Sequence, residues 1–202
     1  MQILIKILGL KNYLRILQQS FFLFYRTGLL KYNSKMSYYH FVRYLIDKGE
    51  VILDIGANSG YYSFLFSRWT GNTGKVFSFV PAGIYSEIFN EKAKKYKNII
   101  HYPVEKFSLH IRNLDRIDYI RYDLKGYEFS VFPDLKIIIE KFKPKVQMSI
   151  SKDNENQVLE FFYELGYTPY KLHKYRLFPL YDIEEPLPDD IFFIPDDGEL
   201  FE

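Results

Sequence analysis

At 202 residues, with 48% hydrophobic and 26% charged side chains, the chain is sized for one domain with a sizeable core and a few tens of residues left for an appendage. The lack of cysteine excludes disulfides and thiolate zinc sites, and His40, His101, His110 and His173 stand at no metal-ligand spacing, so no metal is expected. A net charge of +2 gives nucleic-acid binding no support, and no nucleic-acid partner is expected. The 19% aromatic content fits compositional drift toward Lys, Ile, Asn, Phe and Tyr better than an aromatic substrate surface.

The charge is unevenly placed. Residues 1–48 carry eight bases (Lys6, Lys11, Arg15, Arg26, Lys31, Lys35, Arg43 and Lys48) against the single acid Asp47, a net +7, whereas residues 177–202 carry nine acids and no base. Either the two ends attract each other or the basic end faces an anionic surface. No secretory signal is evident, and the longest early apolar run, Phe21 to Tyr25, falls far short of a membrane span, so a cytoplasmic location is expected.

Ile3, Ile7, Leu10, Leu14, Leu17, Phe21 and Phe24 recur at helical spacing with Lys6, Lys11, Arg15 and Gln18 between them, which predicts an amphipathic helix ending near Gly28. Its apolar stripe either packs on the domain or lies on a membrane surface, the first being favoured. Ser37 to Lys48 reads as a second helix, capped by Ser37 and closed by Gly49, so that residues 1–48 form a helical extension ahead of a domain over 49–202. Strands are predicted at Val51–Ile55, Val76–Val80, Ile99–Tyr102, Ile117–Tyr122, Val146–Ile150 and Ile191–Ile194. Helices are predicted at Tyr61–Trp69, Ile84–Tyr96, Glu128–Phe142 and Asn154–Leu165. This alternation means an α/β fold with a mostly parallel sheet, and ligands bind at the carboxyl ends of its strands.

The chemistry concentrates in Asp54-Ile55-Gly56-Ala57-Asn58-Ser59-Gly60, which follows a buried strand and opens a helix. Gly56 permits a tight turn close to a ligand, Gly60 lets helix approach strand, and Asp54 puts a carboxylate where an ammonium is held. N–H groups at the helix start are expected to face the ligand. Asn58 stands where the dinucleotide fingerprint requires glycine, which argues against a nicotinamide enzyme.

The stretch VILDIGANSGYYSFLFSRWTGNTGKVFSF resembles the cofactor-binding half of the FkbM-family methyltransferases, and LDRIDYIRYDLKGYEFSVFPDL resembles that family's second signature, close to I-D-x-I-K-x-D-x-E-G-x-E. The resemblance covers roughly residues 49–172. It implies a seven-stranded Rossmann-like sheet of the class I methyltransferase type, S-adenosylmethionine as methyl donor, and O-methylation of a sugar or other small hydroxyl compound. It places Asp54, Gly56, Ala57, Asn58 and Gly60 on the cofactor, with Val80, Pro81 and Glu105 at its ribose and adenine, and Asp123 beside the transferred methyl. A carboxylate there also suits a hydroxyl nucleophile that must lose its proton, although Asp123 equally fits a helix or turn cap.

Three positions depart from the family pattern. Val80 stands where an acid normally takes the ribose hydroxyls, a loss of roughly 1–3 kcal/mol or about tenfold to a hundredfold in affinity. Lys125 replaces a Glu, next to Asp123 with which it is placed to pair. The connection from Tyr102 to Ile117 is near the minimum for a crossover, and Glu105 is the loose stand-in for the acid that family members carry there. The expectation is a methyltransferase acting on a small hydroxylated acceptor. The alternative is a catalytically silent domain of the same fold that serves as a binding module.

Overall fold

The computed structural model describes residues 2–33, 36–180, 187–188 and 190–197. Two helices, α1 (Gln2–Leu8) and α2 (Leu10–Thr27), open the chain. They meet at Gly9, and α2 ends at Gly28 in the left-handed conformation, whose N–H donates to the Tyr25 carbonyl. The second expected helix is shorter than predicted. α3 (Ser37–Phe41) passes into a 3-10 turn over Val42–Leu45, and Ile46 leaves in extended conformation with its carbonyl accepting from Arg43. Ser37 is the first residue of α3 and not its cap.

The rest alternates: β1 (Val51–Ile55), α4 (Tyr61–Thr70), β2 (Lys75–Val80), α5 (Ile84–Ala93), β3 (Ile99–Pro103), α6 (Phe107–Ile111), β4 (Tyr119–Tyr122), α7 (Glu128–Phe142), β5 (Lys145–Ser149), α8 (Glu155–Glu164), β6 (Tyr167–His173), β7 (Arg176–Pro179) and β8 (Asp190–Pro195). The strands form one sheet in the order β3-β2-β1-β4-β5-β8-β6-β7. The first five are parallel, and β8 runs antiparallel between β5 and β6. Where seven strands were expected there are eight. The addition is β7, which folds back on β6 through Lys174 and Tyr175 at φ 47° and 63°. That two-residue turn usually takes Gly or Asn, so its sequence carried no hairpin signal. The supposedly minimal crossover holds α6, anchored by buried Phe107 and Ile111.

Side chains alternate across the sheet, as the pleat requires. Leu53, Ile55, Ile120, Tyr122, Val146 and Met148 join a core beneath α6, α7 and α8. Ile52, Val76, Tyr119, Phe192 and Ile194 join a second core with α3, α4 and α5.

Helix α2 forms an outer layer on that second side. Lys11 pairs with Glu87 and Glu91 of α5, and Arg15 grips both carboxylate oxygens of Glu91. Gln18 donates to the Ser59 carbonyl, and Phe22 is buried with the Lys92 ammonium 3.4 Å from its ring centre. The orientation splits the expected apolar stripe: Leu14 is half-buried and Phe21 packs on the domain against the rings of Tyr39 and Tyr61. Buried Gln18 and Phe22 face the domain, while Ile7, Leu10, Leu17 and Phe24 stay exposed; the side chain of Ile3 lies outside the described residues. The ion pairs to α5 and the Gln18 bond set this rotation. Lys11 and Arg15 find their acids on α5, and most of the acids of residues 177–202 lie outside the described residues.

Candidate active site

The strand order reverses between β1 and β4: β2 and β3 lie to one side, β5 onward to the other. In an open parallel sheet the crevice at the carboxyl end of that switch point is where ligands bind. The loop after β1 and the residue after β4 meet there. Gly56 (φ 81°) lies so close to Asp123 that a Cβ on it would stand 2.4 Å from the Asp123 carbonyl oxygen, and the Asp123 N–H bonds the Ile55 carbonyl at 2.9 Å. Gly60 (φ 89°) is equally constrained, since a Cβ would fall 2.4 Å from the Phe64 ring and 2.8 Å from that of Phe89. Asn58 sits in the left-handed region at φ 48° and is half-buried; Ala57 is buried.

Part of the expected backbone cradle is already used. The N–H groups of Gly56 and Ala57 both donate to the Phe79 carbonyl at 3.0 Å, tying the loop to β2.

Asp54 does not face the crevice, contrary to the ammonium-holding role expected of it. The pleat turns it toward α4, where it is fully buried, accepting from Ser63 Oγ at 2.5 Å and from Arg121 Nη1 at 3.0 Å. Burial pushes its carboxyl pKa up, opposed by Arg121 and the Ser63 hydroxyl. The other arm of Arg121, Nη2, donates to Asp123 Oδ2 at 2.6 Å, and its guanidinium lies 4.3 Å from the centre of the Tyr62 ring. Burial works against the charge on Arg121, but Asp54 and Asp123 outweigh it and hold its pKa well above the ordinary arginine value. One guanidinium therefore joins a fully buried carboxylate to one that is 30% exposed at the rim. Asp123 thus has a partner that was not expected of it. Arg121 occupies the lysine of the I-D-x-I-K-x-D pattern, and Lys125 is exposed.

Arg121 belongs to a polar row in register across four strands: Ser78 of β2, Asp54 of β1, Arg121 of β4 and Gln147 of β5, each at most 8% exposed. Ser78 Oγ lies 3.0 Å from Ser63 Oγ; Gln147 donates to the Tyr62 hydroxyl at 3.1 Å and accepts from the Tyr119 hydroxyl at 3.0 Å. Arg121 Nε alone in the row has no partner. Sequence reasoning missed Ser63, Ser78, Arg121 and Gln147, because cross-strand register is not written in any one segment.

The β2 side of the rim differs. Val80 is buried in the apolar core that also holds Ala57, Phe64, Phe89 and Ile99, and Pro81 is half-buried beyond it. Glu105 is exposed in a 3-10 turn after β3 (Val104–Lys106). Neither Val80 nor Glu105 is brought to the Asp54–Arg121–Asp123 chain. Glu128, retained from the second signature, is buried at the start of α7, accepting from the Ser151 N–H and from Asn154 Nδ2, each at 2.8 Å. Burial opposes its charge, but hydrogen bonds from its own backbone, Ser151, Gly126 and Asn154 hold its pKa below the usual carboxylate value.

Residues 82–169 match the methyltransferase FkbM domain model. Over this stretch the chain is similar to the FkbM methyltransferases. No curated protein matches the chain. Among solved structures, the chain is similar to an S-adenosylmethionine-dependent O-methyltransferase from Thermotoga maritima (18% identity, TM-score 0.54, 82% of this chain and 66% of that one). It is also similar to an rRNA methylase from Streptococcus thermophilus (12%, 0.53, 78% and 92%) and to fibrillarin from Aeropyrum pernix with natively bound S-adenosyl-L-methionine (13%, 0.52, 74% and 67%). At such identities the likeness is one of fold. The FkbM signature and the sheet order agree on a methyltransferase fold. Among the described residues there is no acid–histidine cluster for a metal ion, and no helix long and apolar enough to cross a membrane.

Proposed function

We propose that this chain is an S-adenosylmethionine-dependent O-methyltransferase acting on a small hydroxylated acceptor, a sugar or glycolipid precursor. The observation that carries the reading is the meeting of Gly56 with Asp123 at the strand-order reversal. A glycine loop and a rim carboxylate are held together there by a contact that only glycine permits. Gly56, Asn58 and Gly60 would hold the cofactor, whose sulfonium supplies an activated methyl group. Asp54 contributes through Arg121, by fixing where Asp123 stands.

Methyl transfer to an alcohol breaks a carbon–sulfur bond, forms a carbon–oxygen bond and releases the hydroxyl proton. Asp123, partly exposed and held by Arg121, is the group placed to orient that hydroxyl and accept the proton. The reaction is mostly a matter of alignment, so a carboxylate fixed by a buried guanidinium suits it better than a mobile one.

A second reading, a silent domain that binds cofactor poorly, is favoured by one observation: Val80 is packed into the apolar core where the family's acid would face the ribose. Asp123→Asn separates the two. On the proposed reading the variant binds S-adenosylhomocysteine as the native protein does, and loses about a hundredfold or more of its methyl transfer to a panel of glycan and glycolipid hydroxyls. Transfer to RNA with none to the panel would move the acceptor class. Absence of both binding and transfer in the native protein would leave the silent domain.

A further inference from the structure

The rotation of α2 leaves an apolar face uncovered on the outside of the molecule. Leu10, Ile16, Leu17, Leu23 and Phe24 are between 41% and 59% exposed, and Ile7, Leu29 and Tyr32 extend the patch at 73%, 58% and 91%. Their spacing keeps Leu10, Ile16, Leu17, Leu23 and Phe24 along one side of an 18-residue helix, opposite buried Gln18 and Phe22. Every charge in residues 1–46 is basic. Lys6, Arg26 and Lys31 are exposed, and Asp47 is the first acid in the chain. Past the end of α2, Lys31 and Arg43 line a cavity of about 640 Å³ with His40 and Tyr44, beside Asp47. The bases that α2 turns inward, Lys11 and Arg15, are neutralised by Glu87 and Glu91, so those left outside find no acid on their own helix.

We infer that the outer face of α1 and α2 docks on an anionic lipid surface, lying in the plane of the interface with its leucines and Phe24 among the upper acyl chains. Lys6, Arg26 and Lys31 would reach the headgroups. A helix with an apolar face and a basic rim that does not span a membrane has the composition of an interfacial element. Charge decides between occupants. A second copy meeting this face with its own α1 and α2 would bring the same bases and no acid from those helices, whereas anionic headgroups supply the missing charge. The inner side of the same helix holds the Ser59 carbonyl through Gln18, so the docked surface lies one helix away from the glycine loop. This inference stands apart from the methyl-transfer reading, and its test uses no cofactor.

The full chain is sedimented with vesicles of phosphatidylcholine alone and of phosphatidylcholine mixed with phosphatidylglycerol. Binding is expected to the mixed vesicles only and to fall with added salt. It should drop at least about tenfold in Leu17→Glu/Phe24→Glu and by about tenfold in Arg26→Glu/Lys31→Glu. These side chains are exposed, so circular dichroism should show both variants folded. Failure to sediment with either vesicle overturns the inference. So does binding that ignores the Leu17 and Phe24 changes, or a dimer in sedimentation velocity that those changes disperse.

Discussion

The two halves of the carboxyl rim are built differently. At β1 and β4 a fully buried carboxylate, a guanidinium and a half-exposed carboxylate are linked in sequence. The first two belong to a row of polar side chains in register across four strands. At β2 and β3 the corresponding corner is apolar, with Val80 filling the core and Glu105 turned to solvent. A buried charge is costly unless it is paired, so the linked Asp54, Arg121 and Asp123 persist only where the surrounding structure holds them. Polar side chains are thus held in fixed positions on the β1–β4 side of the rim, and apolar packing fills the β2 side.

The contrast breaks most sharply at Arg121. Replacing it by Met leaves Asp54 buried beside only a serine hydroxyl, and should cost about 3–5 kcal/mol in denaturant unfolding. A cost below about 1 kcal/mol would mean that the row is not a structural clamp. Glu128→Gln should cost about 2 kcal/mol, because the loop from β5 to α8 hangs on its carboxylate. The pH dependence follows from the depressed pKa of Glu128. Its contribution is fully present above the unfolded value of about 4.3 and is lost as pH falls through the lower folded value. Unfolding measured between neutral and acid pH should therefore show native and variant proteins converging on the acid side. Tyr62→Phe removes only the hydroxyl that Gln147 bonds and should cost about 1 kcal/mol, the smallest of the three.

Much of the scaffold was legible. Residues 128–142 were read as a helix and form one to the residue, because the apolar face is continuous and its ends are marked. The loop after β1 was legible because Gly56 and Gly60 sit where a Cβ cannot. Three features were not. Arg121 reads as one charge inside an apolar strand, and its partners come from β1, from α4 beyond Tyr61, and from two residues on. The β6–β7 hairpin turns on Lys174 and Tyr175, residues that announce no turn. The apolar stripe of α2 was identified, but which side it shows the domain depended on Glu87 and Glu91, each 76 residues along the chain from the base it pairs with.

On the proposed reading, the β1–β4 half of the rim holds the methyl donor with Val80, and no acid, at the end of β2. Calorimetric titration with S-adenosylhomocysteine, run on the native chain and on Val80→Glu, tests it most directly. Measurable binding by the native chain is expected, with an affinity higher by about tenfold to a hundredfold in the variant. No heat from either protein, with both folded, would contradict it.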